Sequence, residues 1–196
     1  MSSSLVIMSA VFGAAAGLVL PRLADRWAPA RRARRGVTVV CSAVAAGVLG
    51  TVPERLVLLP AVPVGVLLAV VDLRCLRLPD ALVTVLTISA GLPLAAQHPA
   101  RVIPALLAAA AVGAGYLTVA LLPAHGLGLG DVKLGAALAL LTGLAGGWPA
   151  VLVSLAVAHL IGGVLAVGLL IGGRPGAFPF GPALLAGSLA GLLRDS

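Results

Sequence analysis

Residues 131–171 read DVKLGAALALLTGLAGGWPAVLVSLAVAHLIGGVLAVGLLI, and no charged side chain stands between Lys133 and Arg174. A run this apolar is twice the roughly 20 residues needed to cross a bilayer as a helix at about 1.5 Å per residue. It divides at Gly146-Gly147-Trp148-Pro149 into a span opening at Asp131 and a second over about Ala150–Ile171. The same pattern recurs along the 196 residues, of which 61% are hydrophobic and only 10% charged. Soluble domains carry about 25% charged residues, so a soluble fold is excluded. In lipid the backbone must satisfy its own hydrogen bonds, and the long apolar runs make helices the solution.

Working outward, hydropathy predicts an all-α polytopic membrane protein of about eight transmembrane helices, a single integral-membrane domain over residues 1–196. Span one is predicted over about Ser4–Leu20, span two over Val37–Val52 and span three from Leu56 to about Val71. Span four runs Ala81–Ala96, span five ends near Leu122, spans six and seven are those above, and span eight is Phe180–Leu193. The first apolar run has no basic residue ahead of it, so it is read as a membrane helix rather than a secretory signal. A short basic loop, residues 21–36, carries Arg22, Arg26, Arg31, Arg32, Arg34 and Arg35. If that loop is cytoplasmic, alternation gives its side ten basic residues, adding Arg74, Arg77, Lys133 and Arg174. The other side has three, Arg55, Arg101 and Arg194. This asymmetry fits the positive-inside rule and sets both termini on the non-cytoplasmic side. Topology thereby accounts for the net charge of +7, and with 3% aromatic residues no nucleic-acid partner is expected. Cys41 and Cys75 match neither a metal-ligand spacing nor a disulfide framework.

Six residues are acidic. Asp25 lies among arginines and reads as a solvated partner, while Glu54 and Asp195 fall in an outside link and near the C-terminus. Asp80 precedes an apolar helix, where a carboxylate can cap free N–H groups or support a site. Asp72 follows the apolar run Val62–Val71, and Asp131 opens another. Carboxylates at membrane depth cost about 3 kcal/mol or more and commonly face a functional cavity. Interfacial placement, or N-capping by Asp131, is the bland alternative. The eight-span topology sets both on one side of the membrane. Two close carboxylates do not readily both ionise, so one can take a proton from water while the other polarises a carbonyl. Ahead of Asp131, the run Gly126-Leu127-Gly128-Leu129-Gly130 permits close backbone approach by an extended substrate, or simply makes a turn. Lys133, the chain's one lysine, is read as a counter-charge to either aspartate or as snorkelling to headgroups.

The segment Val70-Val71-Asp72-Leu73-Arg74-Cys75-Leu76-Arg77-Leu78-Pro79-Asp80 resembles the first catalytic segment of the type IV prepilin peptidases. Gly128-Leu129-Gly130-Asp131-Val132-Lys133-Leu134 resembles their Gly-x-Gly-Asp motif, and Phe178-Pro179-Phe180-Gly181-Pro182 a Pro-Phe-Gly-Pro run near their C-terminus. The resemblance implies an aspartyl endopeptidase whose catalytic pair is Asp72 and Asp131, within a peptidase core over residues 56–193. It implies supporting roles for Gly128, Gly130, Lys133, Pro79 and Asp80, and makes Phe180, Gly181 and Pro182 candidates for a substrate channel. The implied partners are basic leader peptides of prepilins or pseudopilins and the lipid bilayer of the bacterial plasma membrane, cut on the cytoplasmic face. Water attack of this kind needs no metal or cofactor. Many relatives also methylate the new N-terminus through a cytoplasmic domain with paired Cys-x-x-Cys zinc ligands. Here residues 21–36 hold no cysteine and are too few for such a domain, so peptidase activity without methylation is expected.

Other features read as structural. Gly13/Gly17, Gly143/Gly147, Gly168/Gly172 and Gly187/Gly191 are four apart, a spacing that lets helices approach closely. His98 and His125 fall in links, and His159 is expected to face a polar gap or bond another helix rather than bind metal. Trp27 and Trp148 suit interfacial anchoring, and Tyr116 is left without a role. Two other functions fit less well. A small cation- or proton-coupled transporter calls for mid-membrane acids and a repeat, and no repeat is visible. An inactive pilus-assembly scaffold would not need both aspartates.

Overall fold

The computed structural model describes residues 3–27, 35–122, 127–173 and 178–194, and among these every regular element is helical. The helices are α1 (Ser3–Trp27), α2 (Arg35–Leu49), α3 (Ala61–Cys75), α4 (Asp80–Gln97), α5 (Val102–Ala120), α6 (Leu129–Ile171) and α7 (Gly181–Leu193). Short 3₁₀ turns at Pro53–Leu58 and Pro99–Arg101 join α2 to α3 and α4 to α5. Arg31, Arg32, Arg34, His125, Gly126, Arg174 and Asp195 lie outside the described residues.

Four segments are long and apolar enough to cross a membrane: α1, α4, Pro99–Ala120 and α6. At 15, 15 and 13 residues, α2, α3 and α7 are shorter. Large apolar side chains such as Leu92, Ile103, Leu160 and Ile171 stand exposed on the outside of the bundle. So continuous an apolar exterior suits lipid rather than water.

A straight helix of 43 residues would run roughly 65 Å, far beyond a hydrocarbon core of about 30 Å. Accordingly, α6 breaks at Gly147, whose φ of 68° and ψ of −164° are open chiefly to glycine. The two halves then lie side by side. A Cβ on Gly143 would come within 3.6 Å of Val151, and Tyr116 of α5 meets both Gly135 and His159. The two membrane runs read from residues 131–171 are thus a helical hairpin. Pro149 has no N–H, so the carbonyl of Ala145 loses its partner four residues on. Arg55 donates to it through Nη1 and Nη2, each at 3.2 Å, and Arg101 Nη1 donates to the same oxygen.

A similar repair corrects the boundary expected for span one. Instead of ending at Leu20, α1 continues through Pro21 to Trp27, so the basic segment 21–36 begins as helix. Pro21 deprives the Gly17 carbonyl of its donor, and the Thr38 hydroxyl of α2 donates to that oxygen at 2.9 Å. The extension is held by packing: Leu20 and Ala24 are buried against Leu67 and Val71 of α3. Asp25 pairs with Arg74 of α3 at 3.1 Å.

Glycine pairs give close packing at two of the four expected places. A Cβ on Gly13 would overlap the Ser42 carbonyl of α2, and one on Gly187 the Ser154 carbonyl of α6. At Gly143/Gly147 only Gly143 lies in a helix contact, against Ala105 at 3.1 Å, while Gly147 makes the break. Among the described residues Gly168 faces open space and Gly172 only its own helix, so that pair packs none of them.

Candidate active site

Asp72 lies in the last turn of α3 and is buried, at 4% exposure. One carboxylate oxygen, Oδ2, accepts a hydrogen bond from the backbone N–H of Gly181 at 2.9 Å. Just beyond, Leu76 stops the helix with φ 52° and ψ 39°. A branched side chain in the left-handed region is strained, and such strain is characteristic of functional segments. The reversal turns Leu78 beneath the start of α6, where a Cβ on Gly130 would sit only 3.0 Å from Leu78 Cβ. Gly130 therefore serves close packing between the two motif segments.

Asp131 lies in the first turn of α6, after Gly128 in extended conformation at the N-cap. A backbone bond ties its carboxyl to Gly128 at the N-cap, while its Oδ1 is buried without a hydrogen-bond partner among the described residues. Buried polar atoms are nearly always paired, so an orphan carboxylate oxygen on a residue that lines a cavity is a chemical opportunity rather than a structural fixture. The charge of Asp72 acts on Asp131, so the two carboxyls are close enough to interact.

Both aspartates line one cavity of about 610 Å³, with Gly128, Gly130, Pro79 and Asp80 also in its wall. Four of the five residues expected in support are therefore brought to the same cleft. Lys133 is not in that wall. Its Nζ pairs with Asp80 Oδ2 at 2.6 Å, both side chains exposed, rather than with Asp72 or Asp131. Asp80 in turn makes no capping bond: it is the first residue of α4, whose N-cap is Pro79. The capping role expected for Asp80 and the counter-charge role expected for Lys133 are replaced by this one ion pair.

Phe180, Gly181 and Pro182 are not in the cavity wall either. Phe180 is buried where a Cβ on Gly162 would overlap its ring, and it meets Tyr116 and His159 edge-to-face at centroid distances of 6.4 and 5.7 Å. Tyr116, given no role from sequence, packs where a Cβ on Gly135 would stand, and its hydroxyl lies 3.5 Å from His159 Nε2. His159 thus bonds across helices as expected. Trp27 and Cys75 are further cleft residues that sequence reasoning passed over. Trp27 reaches the cavity only because α1 runs beyond Pro21, whereas Cys75, one turn from Asp72, was legible from helical spacing.

The chain is therefore a helical membrane protein with two interacting carboxyls in one open cleft. The model of the type IV leader peptidase family matches residues 59–167, more than half of the chain and including both aspartates, and the chain belongs to this family of peptidases. No curated protein and no solved structure matches it.

Proposed function

We propose that the chain is an intramembrane aspartyl endopeptidase that removes the short basic leader from prepilin-like or pseudopilin substrates, with Asp72 and Asp131 as its catalytic pair. The observation that carries this reading is the shared cavity, in which two carboxyls from separate family segments interact and one oxygen has no partner among the described residues. Between two like charges in an apolar setting a single proton is readily shared. The ionised carboxylate takes a proton from water as its oxygen bonds to the scissile carbon. The protonated carboxyl gives its proton to the carbonyl oxygen, leaving a gem-diol. In the second half the acid formed from the base protonates the leaving nitrogen as the C–N bond breaks. The gem-diol returns a proton to the other aspartate, and both groups regain their starting states.

In this reading α2, α3 and α7 also cross the bilayer, and the halves of α6 count separately, which makes eight spans with both termini outside. The cleft opens to the cytoplasm of a bacterial plasma membrane, in keeping with the basic residues on that side. Residues 28–34 join α1 to α2 and leave no room for a methylating domain, so cleavage proceeds without N-methylation. Type IV pilus assembly and protein secretion are the settings in which such leaders occur.

The test is cleavage of a tagged prepilin-like substrate co-expressed in membranes, followed by gel mobility. Wild type is expected to process it, and Asp72→Asn and Asp131→Asn, inserted at equal levels, to lose at least about 10²-fold in rate. Processing that survives either substitution would sink the two-aspartate mechanism.

A further inference from the structure

The two carboxyls are held differently. Asp72 Oδ2 accepts the amide of Gly181, across 109 residues of sequence, and that amide opens α7. The first N–H groups of a helix have no partner within it, so this donor is free to serve the carboxylate. A donated N–H keeps Oδ2 an acceptor and favours the charged form of the group. Asp131 has no such donor on Oδ1 among the described residues, and its backbone partner is Gly128 in its own first turn rather than a donor from another helix. It does stand in the first turn of α6, where the helix dipole also favours a negative charge, whereas Asp72 stands in the last turn of α3. A direct, buried N–H bond outweighs a dipole contribution of this kind.

Space points the same way. A Cβ built on Gly181 would lie 2.8 Å from Asp72 Oδ2 and 3.3 Å from Cγ, so any other residue here displaces the carboxylate. The preceding Phe180 anchors the segment, its ring seated over Gly162 and against Phe178, Tyr116 and His159. A rigid donor aimed at a buried carboxylate is what a precise proton acceptor requires.

We propose that Gly181 is a positioning residue for peptide hydrolysis: its N–H holds Asp72 as the proton-accepting member of the pair, and its missing side chain leaves the space that Asp72 occupies. Asp131 then holds the shared proton on Oδ1 and delivers it to the substrate carbonyl, and the atoms balance as in the two-step cycle above. Gly181's role rests on the catalytic pair proposed there. The other ionisable groups around the carboxyls, among the described residues, are Cys75, Arg77 and Asp80 in the cavity wall and Tyr116 near Asp131.

The experiment uses the purified full chain in detergent and a prepilin-like peptide, with kcat and KM measured across pH for three enzymes. Gly181→Ala is expected to lose about tenfold or more in kcat with KM little changed, and the acid limb of its profile to move to higher pH, because the carboxylate has lost its donor. Gly187→Ala serves as the control, since its added methyl strikes α6 and not Asp72. It is expected to reduce folded yield and leave the acid limb in place. If Asp72→Asn and Asp131→Asn are inactive but Gly181→Ala keeps the wild-type kcat and limb, the pair stands and the positioning role falls. Activity in either Asn variant overturns the pair itself. Should Gly181→Ala fail to fold, dicyclohexylcarbodiimide, which modifies protonated carboxyls in apolar surroundings, is applied to the wild-type enzyme and the sites mapped by mass spectrometry. Modification of Asp131 without Asp72 is expected; modification of Asp72, or of neither, overturns the assignment.

Discussion

The two ends of the bundle treat buried polar groups in opposite ways. At one end Arg55, 6% exposed, and Arg101 spend guanidinium donors on the Ala145 carbonyl that Pro149 leaves open. At the other, Asp72 and Asp131 face a cavity, and one Asp131 oxygen is left unpaired among the described residues. The two ends are separated by the 14 residues from Asp131 to Ala145, roughly 21 Å of helix. A polar group consumed by a backbone repair maintains the fold. One held buried beside open space, at a free-energy cost, is available for chemistry. The difference teaches that burial and charge alone do not identify a site in a membrane protein; how the group is satisfied does.

Substitutions can break this contrast. The largest expected effect is at the acid end: Asp131→Asn should abolish cleavage while leaving the thermal midpoint in detergent equal to wild type or higher, since it replaces a poorly paired carboxyl with a neutral amide of the same shape. A large loss of stability would mean that Asp131 is structural after all. At the arginine end, Arg55→Leu should lower unfolding stability by about 2 kcal/mol, the scale of charged hydrogen bonds lost from a buried carbonyl. Cleavage per folded molecule should stay within about twofold, because distant sites act independently. A hundredfold fall in folded Arg55→Leu would show that the ends are coupled.

Smaller effects sharpen the comparison. Asp80→Asn or Lys133→Met removes an exposed ion pair, and unfolding in detergent should register less than about 1 kcal/mol. The smallest effect concerns His98, next to the arginine cap. Burial first, then Arg101 and Arg55, hold its imidazole below the usual range, with Glu54 opposing. The unfolded chain then takes up a proton near pH 6.5 before the folded one does, so stability falls as pH drops below about 6.5. Thermal midpoints measured from pH 7 to pH 5 should show a shallow decline in wild type that flattens in His98→Gln.

Several of these groups were legible in sequence and several were not, for a common reason. The helical runs were readable because crossing lipid demands unbroken apolar length, and Asp72 and Asp131 were paired by counting helices between them. Proline misled at Pro21, where the expected helix end ignored a donor that only Thr38 of a neighbouring helix supplies. Asp80 read as a cap because its partner Lys133 lies 53 residues away. Gly181 read as channel lining because nothing local shows its amide pointing at Asp72.

By itself, then, the sequence determined a helical chain in a membrane, the family segments and the two aspartates, because hydropathy, helix parity and motif spacing are properties of order along the chain. The tertiary structure alone decided which donors meet which acceptors: Arg55 and Arg101 on Ala145, Thr38 on Gly17, Lys133 on Asp80 and Gly181 on Asp72. Those pairings depend on how helices pack side by side, and a hydrogen bond of about 3 Å is set by that packing rather than by either residue's neighbours in sequence.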